Sequence, residues 1–361
     1  MSFFGEKLRI EIFGRSHAKC IGVNIWGLPK GLRIDFEKLS GFMARRAPGS
    51  SVFSTPRKES DLPVFEEGIE DFSVVGDKVR AVIYNKNQHS GDYGKLKAIP
   101  RPGHADYSAY MKYGTDYDLA GGGEFSGRLT APLCIAGGIA KQILEENGIL
   151  VGAHVFSVGD VKDLEFDPVS LDKDTLLLPS QRAMPVLCEQ KGREMLELIS
   201  NAKSTGDSIG GCVECAVIGL RAGVGGELFD GLESRFASAL FGIPAVKGVE
   251  FGDGFSVCER LGSENNDSYG VVNGKVVPMT NHAGGILGGI STGAPLTLKV
   301  AIKPTPSISK PQKSVNMNTL EEVELVIGGR HDSCIVPRAV AAVEAAVAIA
   351  LLDKLIESEQ I

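Results

Sequence analysis

Residues 8–13, Leu-Arg-Ile-Glu-Ile-Phe, alternate apolar and polar side chains, the period of a strand with one buried face. Gly14 ends it and leaves Arg15, Ser16 and His17 on a turn. A second strand is predicted over 22–26. Asp35 is placed to cap a helix through about residue 43, which brings Arg45 and Arg46 near its end; 47–51 then reads as a loop. Residues 79–84 and 149–158 read as strands, as does 211–220. Helical spacing marks 135–146, with Gly148 as its stop, and also 189–202 and 232–241. The stretch 85–102 is polar, rich in turn residues and long for a plain connection, a trait of functional loops. A glycine-rich loop occupies 281–289. A strand at 295–302 leads into Lys303-Pro304-Thr305-Pro306-Ser307. The last helix is predicted to start near Pro337, a good first-turn residue.

Residues 339–352 form the longest apolar run, yet they contain Glu344 and are too few to span a bilayer. They read as a core helix. No repeat, low-complexity tract or linker breaks the chain, so one domain is expected over residues 1–361. Strands and helices come in mixed order, which favours an α+β fold. No Gly-x-Gly-x-x-Gly joins a first strand to a helix, and the phosphate loop of nucleotidases is missing, so neither nucleotide fold is supported.

Composition narrows the function classes. Hydrophobic residues make up 43% and charged residues 23% of the 361, ordinary for a globular chain. The net charge of −7 argues against a nucleic-acid partner, and the N-terminus lacks a signal-peptide pattern. Seven cysteines without regular spacing point to a reduced, cytoplasmic setting. Cys212 and Cys215 lie on a predicted strand, three apart and so on opposite faces; they read as structural thiols rather than a zinc or redox pair.

Three islands hold the candidate chemistry: Gly14-Arg15-Ser16-His17; Arg101-Pro102-Gly103-His104-Ala105-Asp106 with the run Gly121-Gly122-Gly123-Glu124-Phe125-Ser126-Gly127-Arg128; and Gly328-Gly329-Arg330-His331-Asp332. Glycine permits close backbone approach, arginine offers a fork for phosphate or carboxylate, and histidine moves protons near neutral pH. His17 is a general acid beside an anion or a turn histidine bonded to backbone. His104 belongs to a proton-transfer site or a polar turn. Ser126 and Arg128 form a phosphate cradle or cap a helix. Asp332 caps the final helix, holds a histidine or accepts a proton. His17, His104, His331 and Asp332 also admit a metal, although no two of the histidines have ligand spacing. The residues by themselves indicate an enzyme acting on a phosphorylated, carboxylated small molecule, with the reaction left open.

These motifs resemble the chorismate synthase family nearly end to end. Gly14 to His17 is similar to its Gly-Glu-Ser-His. Arg45-Arg46-Ala47-Pro48-Gly49 through Thr55-Pro56-Arg57 resembles its early arginine loop. Residues 101–106 match outright, residues 125–132 resemble its second signature, and Arg330-His331-Asp332 matches its third. Residues 281–293 and 303–307 match its flavin-side loops. The resemblance implies a β-α-β sandwich with core helices between antiparallel sheets, assembled as a homotetramer. It implies a lyase of the shikimate pathway and aromatic amino acid biosynthesis, which eliminates phosphate from 5-enolpyruvylshikimate 3-phosphate in an anti-1,4 sense to give chorismate. The implied cofactor is reduced FMN (FMNH2), with no net redox change, supplied by an external NAD(P)H-dependent flavin reductase. His17, His104 and Asp332 would be catalytic. Arg46, Arg101, Ser126, Arg128 and Arg330 would bind substrate. Glu124, Phe125, Ser126, Ala245, Gly288, Lys303, Pro304, Thr305, Pro306, Ser307 and Arg330 would line the flavin.

The chain also departs from the family pattern. Arg15 stands for the Glu of the first motif, Ala18 for a Gly, and Glu124 where Arg or His is usual. Ser50-Ser51-Val52 carries no arginine before Arg57, and Gly91 replaces a common Lys. Opposite changes of sign at Arg15 and Glu124 predict a pair with reversed polarity. Two other readings remain open from the sequence: a family member with altered catalysis that still binds flavin, and a metal-dependent hydrolase using the histidine cluster.

Overall fold

The apolar run at 339–352 lies within a 22-residue helix, Val336–Glu357, buried continuously from Val340 to Leu355. A helix without a polar face must be enclosed on all sides, and the remaining layers are built around it. In this computed structural model the described residues are 2–47, 61–85, 98–114, 117, 119–328 and 331–361. Arg330, the early-loop residues 48–57 and Gly91 lie outside them.

The helix Thr130–Glu146 packs along the last helix. Gly137 sets the approach: a Cβ there would lie 2.2 Å from the Ala345 Cβ. A five-stranded antiparallel sheet runs in the order Ser2–Phe4, Arg9–Gly14, Cys20–Trp26, Lys78–Tyr84, Val64–Glu67. The second runs Val246–Phe251, Leu296–Ile302, Gly211–Ile218, Leu150–Val158, Val161–Lys162, also antiparallel. Thr130–Glu146 rests on Cys20–Trp26 and Lys78–Tyr84 of the first sheet, and Val336–Glu357 on Leu150–Val158 and Gly211–Ile218 of the second. The result is sheet, helices, sheet: the α+β class expected from the element order, in the β-α-β sandwich that the family resemblance implies.

Most predicted elements are present with shifted ends. The helix expected over 135–146 begins at Thr130, because Pro132 falls in its first turn, where no intrahelical N–H is needed. Asp35 does cap the Phe36–Arg46 helix, its carboxylate accepting Lys38 N–H at 2.9 Å. Asp332 does not cap the final helix; the N-cap is Ile335, and the Asp332 carboxylate binds Arg338 instead. The helix Asp106–Tyr113 was not foreseen, since 101–106 reads as a polar turn. Cys215 is buried and Cys212 half-buried on one strand. Burial pushes both thiols up, Cys212 to about 11, which suits structural roles.

Charges inside the sandwich are matched. Glu344 meets Arg45 at 2.5 Å and also contacts Lys141. Asp353 accepts N–H groups of Glu6, Lys7 and Leu8 at 2.8–3.0 Å, tying the first strands to the last helix. His154, fully buried, bridges Glu214 at 2.7 Å and Asp163 at 3.2 Å. Asp163 in turn accepts from Leu187 N and Cys188 N. The segment 160–185, silent in the sequence, is pinned to the second sheet by this clasp.

Candidate active site

The turn after Arg9–Gly14 carries His17, and the glycine run holds it in place. Gly121, Gly122 and Gly123 take φ values of +63°, +93° and +55°, a succession that only glycine adopts readily. Ser16 N–H donates to Gly123 O at 3.2 Å. A Cβ on Gly121 would come within 2.4 Å of His17 Nε2. Next to it Arg15 Nε meets Glu124 Oε1 at 3.3 Å, so the pair of reversed polarity forms. Half-exposed pairs of this kind couple by about 0.2–1 kcal/mol. In a double-mutant cycle on unfolding free energy, Arg15→Glu with Glu124→Arg should be milder than the sum of the single changes by that amount; strict additivity would refute the pairing.

Arg101 closes its own loop. Its Nε and Nη2 donate to Asp106 at 2.7 and 2.8 Å, and its backbone N–H to the same carboxylate at 3.0 Å. That fork holds the loop that carries His104, and Arg101 itself lines the cleft. Residues 303–307 dock on this loop. His104 Nε2 hydrogen-bonds Ser307 Oγ at 2.7 Å, and Lys303 Nζ donates to Gly103 O. Burial and the Arg101 cation lower His104 to about 4, with Lys303 and His331 adding to the effect. The imidazole is therefore neutral at pH 7. The unfolded chain protonates first as pH falls from about 6.5, so this group withdraws stability between about 6.5 and 4 on acidification. The His104 ring protons, followed by NMR in the ligand-free protein, should titrate near pH 4; a midpoint at or above 6.5 would contradict this environment.

Arg46, Arg128 and Arg338 converge at one end of the same cleft. Arg46 and Arg128 each contact one oxygen of Asp61. Arg46 Nε donates to Thr130 Oγ1 at 3.0 Å. Arg338 Nε donates to Arg46 O at 3.0 Å, and its Nη1 contacts Asp332. Burial and the Arg338 cation lower Arg46 to about 10, with Asp61 opposing them. Asn85 ties the first island to this group: Nδ2 donates to Ala18 O at 2.8 Å, and Oδ1 accepts from Arg128 at 3.3 Å.

The cleft has a volume of about 690 Å³, within the usual span for small-molecule sites. It brings together His17, His104, Asp332, Arg46, Arg101, Ser126 and Arg128, together with Glu124, Phe125, Ala245, Lys303, Thr305, Pro306 and Ser307. Gly288 and Pro304 are not on its wall; Gly288 is an exposed turn residue between Ile286–Leu287 and Ile290–Ser291. Sequence reasoning missed Asp61, Asn85, Lys247 and Arg338. Arg338 had one usable signal, a cation in the first turn of a helix, where it opposes the dipole. No group of three or more His, Cys, Asp or Glu among the described residues is arranged to hold a metal, and the hydrolase reading has no support.

Comparison with known proteins agrees with this arrangement. The family model described as chorismate synthase matches residues 8–356. A chorismate synthase of Lancefieldella parvula is 47% identical, with 98% of this chain and 96% of that protein covered. One from Thermococcus gammatolerans is 44% identical over 98% and 97%. A crystal structure of chorismate synthase superposes with a TM-score of 0.77 at 25% identity, covering 98% and 93%. The match runs along nearly the whole chain, the cleft residues included, and the chain belongs to the chorismate synthase family.

Proposed function

We propose that the cleft eliminates phosphate from 5-enolpyruvylshikimate 3-phosphate to give chorismate, with reduced FMN bound beside the substrate. The single observation that carries this reading is the convergence of His17, His104 and the Arg46–Arg128–Arg338 group on one wall system. A departing phosphate needs charge neutralisation and a proton. Arg46 and Arg128 supply the charge, and His17, held against Gly121, donates the proton to the leaving oxygen. Arg330 is assigned to the same anions from its motif. Asp332, held by Arg338, takes part in moving the substrate proton.

The part of the cleft formed by residues 303–307 suits a flavin mononucleotide. Thr305 has a buried hydroxyl oxygen with no partner among the described residues, Lys303 and Ser307 add donors beside it, and Ser126 lines the same cleft. When bound, reduced FMN supplies electron density to the reacting ring and a basic site for its proton. His104 is neutral in the ligand-free cleft; an anion beside it would offset Arg101, Lys303 and His331 and raise its proton affinity.

The remaining parts of the reading concern the setting. We take residues 1–361 as one domain, because its core cluster runs from Leu8 to Leu355. We propose a homotetramer, supported by exposed Leu228, Phe229 and Phe255. Reduced FMN would come from a separate NAD(P)H-dependent reductase, in a cytoplasm that keeps the seven thiols reduced. Anaerobic mixing with photoreduced FMN and the enolpyruvyl phosphate substrate tests the function. Chorismate absorbance with stoichiometric phosphate release is the expected result. Flavin binding without turnover would instead indicate altered catalysis, and metal-dependent activity without flavin would indicate the hydrolase.

A further inference from the structure

Asp61 stands behind the arginines rather than on the cleft wall. Its backbone φ is +45°, a region that residues with a Cβ seldom occupy and that marks a conformation held by its surroundings. Its carboxylate has no solvent exposure, and its two oxygens serve two different arginines: Oδ2 accepts from Arg46 Nη1, and Oδ1 from Arg128 Nη1. Both arginines do line the cleft. Their other donors are aimed by neutral groups: Arg46 Nη2 by Gly127 O at 3.3 Å, and Arg128 Nε by Asn85 Oδ1 at 3.4 Å. Arg338 adds a third cation to the cluster, with Asp332 against it. Among the described residues, three guanidiniums thus face two carboxylates. Like charges this close repel strongly in a poorly hydrated place, so Arg46 and Arg128 converge because Asp61 bridges them.

We propose that Asp61 is a positioning residue: by bridging Arg46 and Arg128 from behind the cleft, it fixes the spacing of the two cations that receive the substrate phosphate and limits the positive charge there, so that the phosphate is held for departure without being retained. This rests on the elimination reading above. A carboxylate shared by both arginines favours one separation, and Asp61 acts through them without touching the ligand. With an amide in its place, the oxygen still serves one arginine. The NH₂ faces the other and turns it away. One guanidinium is then released from its carboxylate, which strengthens the hold on phosphate while spoiling the geometry for its departure.

The test compares Asp61→Asn with the unsubstituted full chain, using inorganic phosphate as the calorimetric probe and kcat on the enolpyruvyl phosphate substrate. Phosphate should bind about five- to tenfold more tightly at low salt, as for one additional cation nearby. Meanwhile kcat should fall by about 10²-fold, the order for displaced reacting groups. A merely structural residue would lose turnover and phosphate binding together. That outcome, or an unchanged kcat, overturns the proposal. Should Asp61→Asn not fold, the same change is made in the Arg128→Gln background, where both charges leave together and the amide oxygen stays with Arg46. Phosphate should bind about five- to tenfold more tightly there than to Arg128→Gln alone, because the Asp61 charge no longer offsets Arg46; an unchanged or weaker affinity overturns it. If the unsubstituted chain makes no chorismate yet phosphate still tightens in Asp61→Asn, the elimination reading fails while the bridging of the arginines stands.

Discussion

Replacing His17 by alanine should lower kcat by about 10²–10⁴-fold, the range for losing a proton-transfer group, with FMN binding largely kept. The side chain sits at the end of a strand, and its place is set by a glycine 104 positions along the chain. Gly121→Ala should therefore imitate the loss without removing the imidazole. The new methyl would meet His17 Nε2 and Cδ2 at 2.4 Å, and the backbone there holds φ +63°. Steady-state turnover with photoreduced FMN checks both variants, and circular dichroism shows that each is folded. Near-normal turnover in His17→Ala would remove its assigned role. Near-normal turnover in Gly121→Ala would show that the glycine run does not position the histidine.

The second large effect lies in the core. Burial pushes Glu344 up, but Arg45 and Lys141 outweigh it and bring the carboxyl down to about 2. Glu344→Leu would leave two cations in the sandwich without their counter-charge, which typically costs about 3–5 kcal/mol. The sign with pH follows from the lowered value. Glu344 binds its proton near 4.5 in the unfolded chain and near 2 in the folded one, so its stabilisation is complete above about 4.5 and disappears as pH falls to about 2. Urea unfolding of both proteins should show the full gap at pH 7 and a shrinking one below 4.5. A gap independent of pH would mean that packing rather than charge sets the cost. Removing Arg45, Lys141 and Glu344 together in favour of apolar residues should restore much of the loss, as buried ion pairs often add little net stability.

How much was legible depends on the kind of contact. Period alone placed the main strands and helices. The continuous apolar run with one glutamate identified a central helix, though not the Arg45 and Lys141 partners of Glu344. Opposed signs in two motifs anticipated Arg15 against Glu124. By contrast, sequence shows Arg101 as a charge in a loop but not its partner; in the fold Asp106 engages it, and it lines the cleft. Asp61 gave no signal, since an aspartate beside a polar stretch reads as surface. Gly288 was assigned by motif to the flavin side, and in the fold it is an exposed turn residue away from the cleft wall.

The sequence by itself determined most strands and helices, their mixed order and the three islands of chemistry, because side-chain period and residue type are local properties of the chain. Only the tertiary structure decided which charges meet. Arg46 and Arg338 are 292 positions apart, and His104 and Ser307 are 203 apart. Such contacts follow from the packing of helices against sheets, and local patterning fixes the face a side chain occupies but not its partner across the cleft.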